Sequence, residues 1–280
     1  MIIWLASYPK SGNTWVRSII TSLIYSIDGG FDFQKLKFID QFPEKKYFKN
    51  LVKNFGDINE ISKNWSLAQE QINLDKKVKF FKTHQGKYTV GGYNFTNNKN
   101  YIATIYIVRD PRNLVKSISN HFSLSIEDAF KFISSPEIIG NTKSWEEKKT
   151  GMVNVLGKWN DHYRSWTRDK NNLLVIKYED LISNTTNELE KIIIFLKKYV
   201  KFEINETKNN KILKSTSFNN LKKMEEQGLF KENVLNKNND SKVKFFHLGP
   251  ENKWKNNIND DIIKQIEKNF YNEMKELNYL

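Results

Sequence analysis

Apolar and polar positions fall in blocks along the chain. Ile2 to Ala6 is an unbroken apolar run, and Val16, Ile19, Ile20, Leu23, Ile24 and Ile27 then step by three and four. The first pattern predicts a buried strand and the second one face of a helix. Between them lies a polar turn, Tyr8-Pro9-Lys10-Ser11-Gly12-Asn13-Thr14-Trp15. Residues 29–77 scatter aromatics without a clean period and read as short helices and loops over the core. Lys79–His84 is a short strand ending in polar groups, and the Gly/Asn-rich residues 85–100 read as a loop or floppy hairpin. Ile102–Val108 is a β-branched buried strand. It ends in Arg109-Asp110-Pro111-Arg112, where a proline suits the first turn of a helix continuing from Leu114 to Phe122.

Ile126–Ile133 is a helical piece, followed by a Ser-Ser-Pro break and a charged loop to residue 150. From Gly151 the positions Met152, Val155, Leu156, Trp159, Tyr163 and Trp166 predict one long amphipathic helix, its tryptophans in the core. Leu173–Tyr178 is another strand, and Asp180 is the expected cap of a helix through Lys198. One or two short helices fill residues 205–230, a polar mobile loop residues 231–244, and a last helix residues 259–277.

Strands alternating with helices predict an α/β fold on a parallel sheet. In such sheets ligands bind beyond the carboxyl ends of the strands. Four polar motifs fall there and are expected to form one site: Tyr8–Trp15, Lys82–His84, Arg109–Ser117 and Tyr178. No internal repeat or linker breaks the chain, so residues 1–280 read as a single domain.

The formal net charge of +13 points to an anionic ligand, although Lys and Asn are abundant everywhere and lysine usually decorates a solvated face. There is no cysteine, which excludes disulfides, thiolate metal sites and a cysteine nucleophile. The four histidines (His84, His121, His162, His247) are far apart in sequence, so no metal site is expected. No apolar run approaches the roughly 20 residues of a membrane span, and the opening run is too short for a signal peptide; a cytoplasmic protein is expected.

The turn after the first strand is built to hold a phosphate. Amides at a helix N-terminus lack internal partners and face a favourable dipole. Lys10, Ser11 and Thr14 add a cation and two hydroxyls. The lysine precedes the glycine, unlike a Walker A loop. A P-loop phosphotransferase is therefore the weaker nucleotide reading. A non-catalytic basic protein binding nucleic acid or another polyanion is the alternative from a different class, although no recognition-helix signature supports it.

The loop resembles the 5′-phosphosulfate loop of sulfotransferases that use 3′-phosphoadenosine 5′-phosphosulfate (PAPS). Lys82-Thr83-His84, Arg109 with Ser117 eight residues on, Tyr178-Glu179-Asp180, Thr216-Ser217-Phe218 and Gly249 to Trp254-Lys255 follow in that family's order. The resemblance, to the cytosolic-type domain, implies a P-loop-like three-layer fold with a central parallel sheet flanked by helices. It also implies transfer of the sulfuryl group from PAPS to a hydroxyl or amine by in-line displacement, without a metal and without nucleic acid as partner.

On that basis the amides from Ser11 to Trp15 (Ser11, Gly12, Asn13, Thr14, Trp15), with Lys10, would hold the 5′-phosphate and sulfate. His84 would be the general base, and Lys10 and Lys82 would act on the transferring group. Arg109 and Ser117 would bind the 3′-phosphate; Trp15, Tyr178, Ser217 and Phe218 would receive the adenine side. Two departures stand out. Asn13 replaces a common threonine, and His247-Leu248-Gly249 replaces the family's Arg-Lys-Gly clamp on the 3′-phosphate, which is then either weakened or supplied by Lys242, Lys244 or Lys253. Acceptor contacts are expected from residues 31–77, 85–100, 123–150 and 231–244, whose polar side chains suit a small polar molecule or glycan.

Overall fold

The computed structural model describes residues 1–139, 152–232, 234–235 and 242–280. β1 (Ile2–Ser7) runs through the polar turn into α1 (Asn13–Tyr25). A two-residue β2 (Asp40–Gln41), a single turn α2 (Lys45–Phe48) and α3 (Ile58–Ile72) precede β3 (Lys79–Thr83). A small hairpin, β4 (Thr89–Val90) and β5 (Tyr93–Asn94), leads to β6 (Tyr101–Val108), α4 (Pro111–Phe122) and α5 (Ile126–Ser134). Next come β7 (Glu137–Ile139), β8 (Asn154–Gly157), α6 (Trp159–Thr167) and β9 (Leu173–Lys177). The rest is helical apart from one short strand pair: α7 (Tyr178–Ser183), α8 (Thr185–Leu196), α9 (Glu206–Ser215), α10 (Phe218–Glu226), β10 (Val234–Leu235) with β11 (Lys242–Val243), α11 (Asp260–Asn269) and α12 (Tyr271–Glu276).

β2, β3, β1, β6 and β9 pair in that order as one parallel sheet. β1 is central, and every one of its residues is buried. Strand side chains alternate between faces. Ile2, Trp4 and Ala6 join a core with Trp65 of α3, Leu114 of α4, Trp159 of α6 and Ile266 of α11. Ile3 and Leu5 join a second core with Val16 and Ile20 of α1 and Leu189 of α8. The predicted three-layer α/β fold, a parallel sheet between helices, is the one observed.

The expected strands at 79–84, 102–108 and 173–178 are present, and Trp159 and Trp166 are core residues. Four details differ. The helix expected from Gly151 is a strand followed by a shorter helix. Met152, Val155 and Leu156 share helical spacing with Trp159, but β8 pairs with β7, and Gly157 (φ 69°) turns the chain before α6. Residues 29–77 contain a full 15-residue helix, α3, rather than only short pieces. Asp180 lies inside the first turn of α7; the cap of the next helix is Asn184, which accepts the Asn187 N–H at 3.1 Å. The C-terminal helix is two helices, broken at Phe270. The charged loop at 140–151 and half of the polar stretch at 231–244 (residues 233 and 236–241) lie outside the described residues.

Candidate active site

The carboxyl ends of β1, β3, β6 and β9 converge on a cavity of about 280 Å³. Its floor is the turn after β1. Gly12 has φ 102° and caps α1, and a Cβ placed there would meet the Tyr178 ring at 2.6 Å. Lys10 also has positive φ, at 67°. For a lysine this conformation is uncommon and costs on the order of 1–3 kcal/mol, strain of a kind concentrated at ligand-binding turns. Ser11 N–H donates to the Tyr8 carbonyl at 3.3 Å and Trp15 N–H to the Gly12 carbonyl at 3.0 Å. The amides at the head of α1 that can receive an anion are therefore those of Gly12, Asn13 and Thr14, a narrower set than the five expected.

The Asn13 side chain does not face a ligand. Its Nδ2 donates to Leu5 O at 3.0 Å and to Ser7 Oγ at 3.2 Å, which ties α1 to β1. Ser7 in turn orients His84. The His84 Nδ1 lies 2.8 Å from the Ser7 carbonyl oxygen and 3.3 Å from its Oγ. A carbonyl only accepts, so that contact assigns the proton to Nδ1 and leaves Nε2 as the basic nitrogen. Burial, and then the Lys82 charge, push the His84 pKa well below the usual 6.5; the Ser7 carbonyl opposes this. His84 is thus a neutral, oriented imidazole on the cavity wall, with Lys82 two residues before it on β3.

Arg109 follows β6, just ahead of the α4 cap, where Asp110 accepts Arg112 N–H at 2.9 Å. One Arg109 Nη donates to the Lys10 carbonyl at 3.1 Å, and the guanidinium lies 4.1 Å from the Tyr178 ring centroid. Its Nε is buried without a hydrogen-bond partner. Tyr178 meets Trp15 edge-on at 5.9 Å, and Trp15 contacts Phe218 at 6.0 Å. Glu179 accepts the Asp110 N–H at 3.1 Å and the Tyr279 hydroxyl at 2.9 Å, which locks the ends of β6 and β9 together.

The opposite wall comes from late in the chain: Phe245, Phe246, His247, Leu248 and Gly249. Asn252 and Trp254 dock this segment on α4 through the Asn113 carbonyl (2.8 Å) and side chain (2.9 Å). Burial, followed by Lys116, Lys222, Lys244 and Lys10, lowers the His247 pKa. A cation-rich surround therefore persists where the Arg-Lys pair is replaced. Lys244 contributes to it, whereas Lys253 lines a neighbouring cavity.

Of the sequence candidates, Lys10, Gly12, Asn13, Thr14, Trp15, Lys82, His84, Arg109, Ser117, Tyr178, Phe218 and the His247–Gly249 segment line the cavity. Ser11 and Ser217 do not. Ser11 is fully buried beneath the turn, and Ser217 caps α10 by accepting Asn220 N–H. Sequence reasoning missed Arg17, Lys116, Glu232 and Phe245. Arg17 pairs with Glu232 through two contacts of 3.0 and 3.2 Å, and Glu232 lies 3.9 Å from Lys82. Arg17 and Lys116 sit beside predicted residues on the same helices and were within reach; nothing near Glu232 in sequence signals its placement. Among the described residues no cluster of three or more His, Asp or Glu could hold a metal, and no helix is long and apolar enough to cross a membrane.

Cations, helix-end amides and an oriented base around one cavity suit group transfer from an anionic donor, and comparison with known proteins agrees. The family described as "Sulfotransferase domain" matches residues 2–278. Human Sulfotransferase 2A1 is 30% identical over 98% of this chain and 84% of its own length. Mouse Sulfotransferase 1 family member D1 is 27% identical, with 98% and 83% covered. Among solved structures, mouse sulfotransferase SULT7A1 complexed with PAP superposes with a TM-score of 0.59 at 23% identity, covering 97% of this chain and 84% of that one. Retinol dehydratase in complex with retinol and PAP gives 0.61 at 17% identity, over 98% and 81%. From its first strand to its last helix, the chain belongs to the sulfotransferase domain family.

Proposed function

We propose that this sulfotransferase moves the sulfuryl group of PAPS to a hydroxyl or amine of a small polar acceptor, with His84 as general base. The donor is PAPS. The observation that carries the assignment of roles is the His84 imidazole. Its Nδ1 is engaged by Ser7, its Nε2 is basic, and it stands on the wall of the cavity floored by the α1 amides.

The free amides of Gly12, Asn13 and Thr14 hold the 5′ end of the donor, with Lys10 beside them. Arg109 offers a planar guanidinium with an unpaired Nε to the 3′-phosphate, alongside Ser117. As the acceptor oxygen closes on sulfur, His84 Nε2 takes its proton. Lys10 meets the negative charge that builds on the departing phosphate oxygen, and Lys82 steadies the sulfuryl oxygens. The bond formed is acceptor oxygen to sulfur, and the bond broken is sulfur to the bridging oxygen.

The acceptor class rests on the remaining wall. Asp40, Gln41, Glu44, Asn154 and Glu232 line it with Lys82 and His84. A greasy acceptor would displace water from this polar wall and offer it no hydrogen bonds in return, at about 1–3 kcal/mol for each group left unsatisfied. The test is labelled PAPS with amino sugars, simple polyols and a hydroxysteroid. Sulfation of the sugars or polyols above the steroid is expected; preference for the steroid would sink the acceptor reading. His84→Ala should abolish turnover while the product nucleotide 3′-phosphoadenosine 5′-phosphate (PAP) still binds, and full activity would remove His84 as base.

A further inference from the structure

A second histidine lies directly behind the first and takes no part in the chemistry described so far. His162, in the first turns of α6, is fully buried. Its Nε2 is 3.1 Å from the main-chain carbonyl oxygen of His84, and its Nδ1 is 2.8 Å from the Tyr106 hydroxyl on β6. Both ring nitrogens are therefore used. The carbonyl can only accept, so Nε2 carries the hydrogen. Burial lowers the His162 pKa to about 3, so the ring is neutral, and its Nδ1 accepts from Tyr106. Tyr8, the first residue of the phosphate turn, sets its ring edge-on to the same imidazole at 5.5 Å.

One helical turn further along α6, Trp166 Nε1 donates to the next carbonyl, that of Gln85, at 3.0 Å. Positions i and i+4 of a helix share a face. α6 thus presents two donors at consecutive carbonyls just past the end of β3. β8 holds the other side: Gly86 N–H donates to the Val155 carbonyl at 2.9 Å, and Val155 N–H donates to Gln85 Oε1 at 2.7 Å. The short loop after β3 is therefore hydrogen-bonded on both sides.

We propose that His162, oriented by Tyr106, is a positioning residue for the catalytic histidine. It fixes the His84 main chain, so that Nδ1 stays on the Ser7 carbonyl and Nε2 stays aimed into the cavity. The inference rests on the reading of His84 as base. It adds that the base works only when its carbonyl is held from behind. Misplacement of a reacting group by about 1 Å is enough to cost on the order of 10²-fold in rate.

Three variants test it. His162→Leu removes the donor, His162→Gln keeps a donor where Nε2 stood, and Tyr106→Phe keeps the ring packing but frees Nδ1. The expected results for His162→Leu are a kcat lower by on the order of 10²-fold, an unchanged Kd for PAP, and loss of the single Nδ1–H tautomer of His84 in its ¹⁵N spectrum. His162→Gln should recover most of the lost kcat, and Tyr106→Phe should lower kcat several-fold with PAP binding intact. A folded His162→Leu with full kcat, or one losing PAP affinity as much as kcat, overturns the proposal. If that variant does not fold, Tyr106→Phe decides, and unchanged kcat there overturns it. Failure of the underlying reading looks different: His84→Ala would itself stay active. An inactive His84→Ala beside a fully active His162→Leu sinks the positioning role alone.

Discussion

The Glu225 carboxylate accepts the Phe245 N–H at 2.6 Å, and its second oxygen accepts the Phe246 N–H at 2.8 Å. Glu225 lies in the last turn of α10 and is buried; Phe245 begins the late wall of the cavity. The Phe245 ring centroid lies 3.4 Å from Lys10 Nζ. One carboxylate thus sets a wall that reaches the phosphate turn. Hydrogen bonds to a charged group are worth about 1.5–3 kcal/mol each. Glu225→Ala should therefore weaken PAP binding by about tenfold or more, read by calorimetry. Glu225→Gln, which keeps one acceptor oxygen, should fall between; unchanged affinity in both would show that the wall holds itself.

Arg109 is predicted to discriminate nucleotides by their 3′ group. In Arg109→Ala the Kd for PAP should rise by about 100-fold, while that for 5′-AMP moves much less. Arg109→Lys should not rescue it, because an ammonium replaces neither the stacked plane over Tyr178 nor the paired donors. The ratio of the two affinities, rather than either alone, is the measurement.

Acidity should act on rate and stability with the same sign. His84 is held neutral to well below pH 6.5, so kcat/KM should stay level from neutral pH downward, with its acid limb displaced below 6.5. A limb centred at or above 6.5 would contradict the burial argument. His162 titrates near 6.5 unfolded and at about 3 folded. Between those values the unfolded chain binds the extra proton. Stability is then complete above about pH 6.5 and lost as pH falls toward 3, at up to about 1.4 kcal/mol per pH unit for this one group. Denaturation midpoints across pH 4–8 check this, and His162→Gln should flatten the slope.

Two glycines should refuse a methyl group for the same geometric reason. Gly249 has φ 53°, and a Cβ would fall 2.1 Å from the Phe218 ring; the corresponding contact at Gly12 is 2.6 Å from Tyr178. Gly12→Ala and Gly249→Ala should each lower stability by about 1–3 kcal/mol and impair PAP binding. Retained PAP affinity in either would mean that the aromatic partner moves aside freely.

Much of this was legible in the chain because local pattern and tertiary role coincide. β1 and β6 are apolar runs and β3 a short strand, all three ending in or followed by charged or hydroxyl residues, and the parallel sheet brings those ends together. Where two periods overlap, the reading failed. Ile58, Ile61, Trp65, Ala68 and Ile72 step as a helix but follow a crowd of phenylalanines, and α3 was hidden among them. Met152 to Trp159 also step as a helix, yet pairing with β7 and a positive φ at Gly157 override the pattern. Long-range contacts left no local trace at all. Nothing near residue 232 announces a carboxylate beside Arg17, and nothing near residue 162 announces a hold on His84.

The late wall at Phe245–Gly249 also has a consequence for how the protein comes into being. The proposed nucleotide cavity is lined both by the turn after β1 and by residues 245–249, about 230 positions later. During synthesis the chain can form β1, β3 and β6 and still lack half of its ligand site. High-affinity binding then arrives only once residues 245–249 have joined the turn after β1, a closure over a long stretch of chain. A ligand that sees only the finished molecule stabilises it alone, by RT ln(1 + [L]/Kd). PAP protection against proteolysis would thus separate chains in which this wall has closed from those in which it has not, and the co-substrate would report on maturation as well as on catalysis.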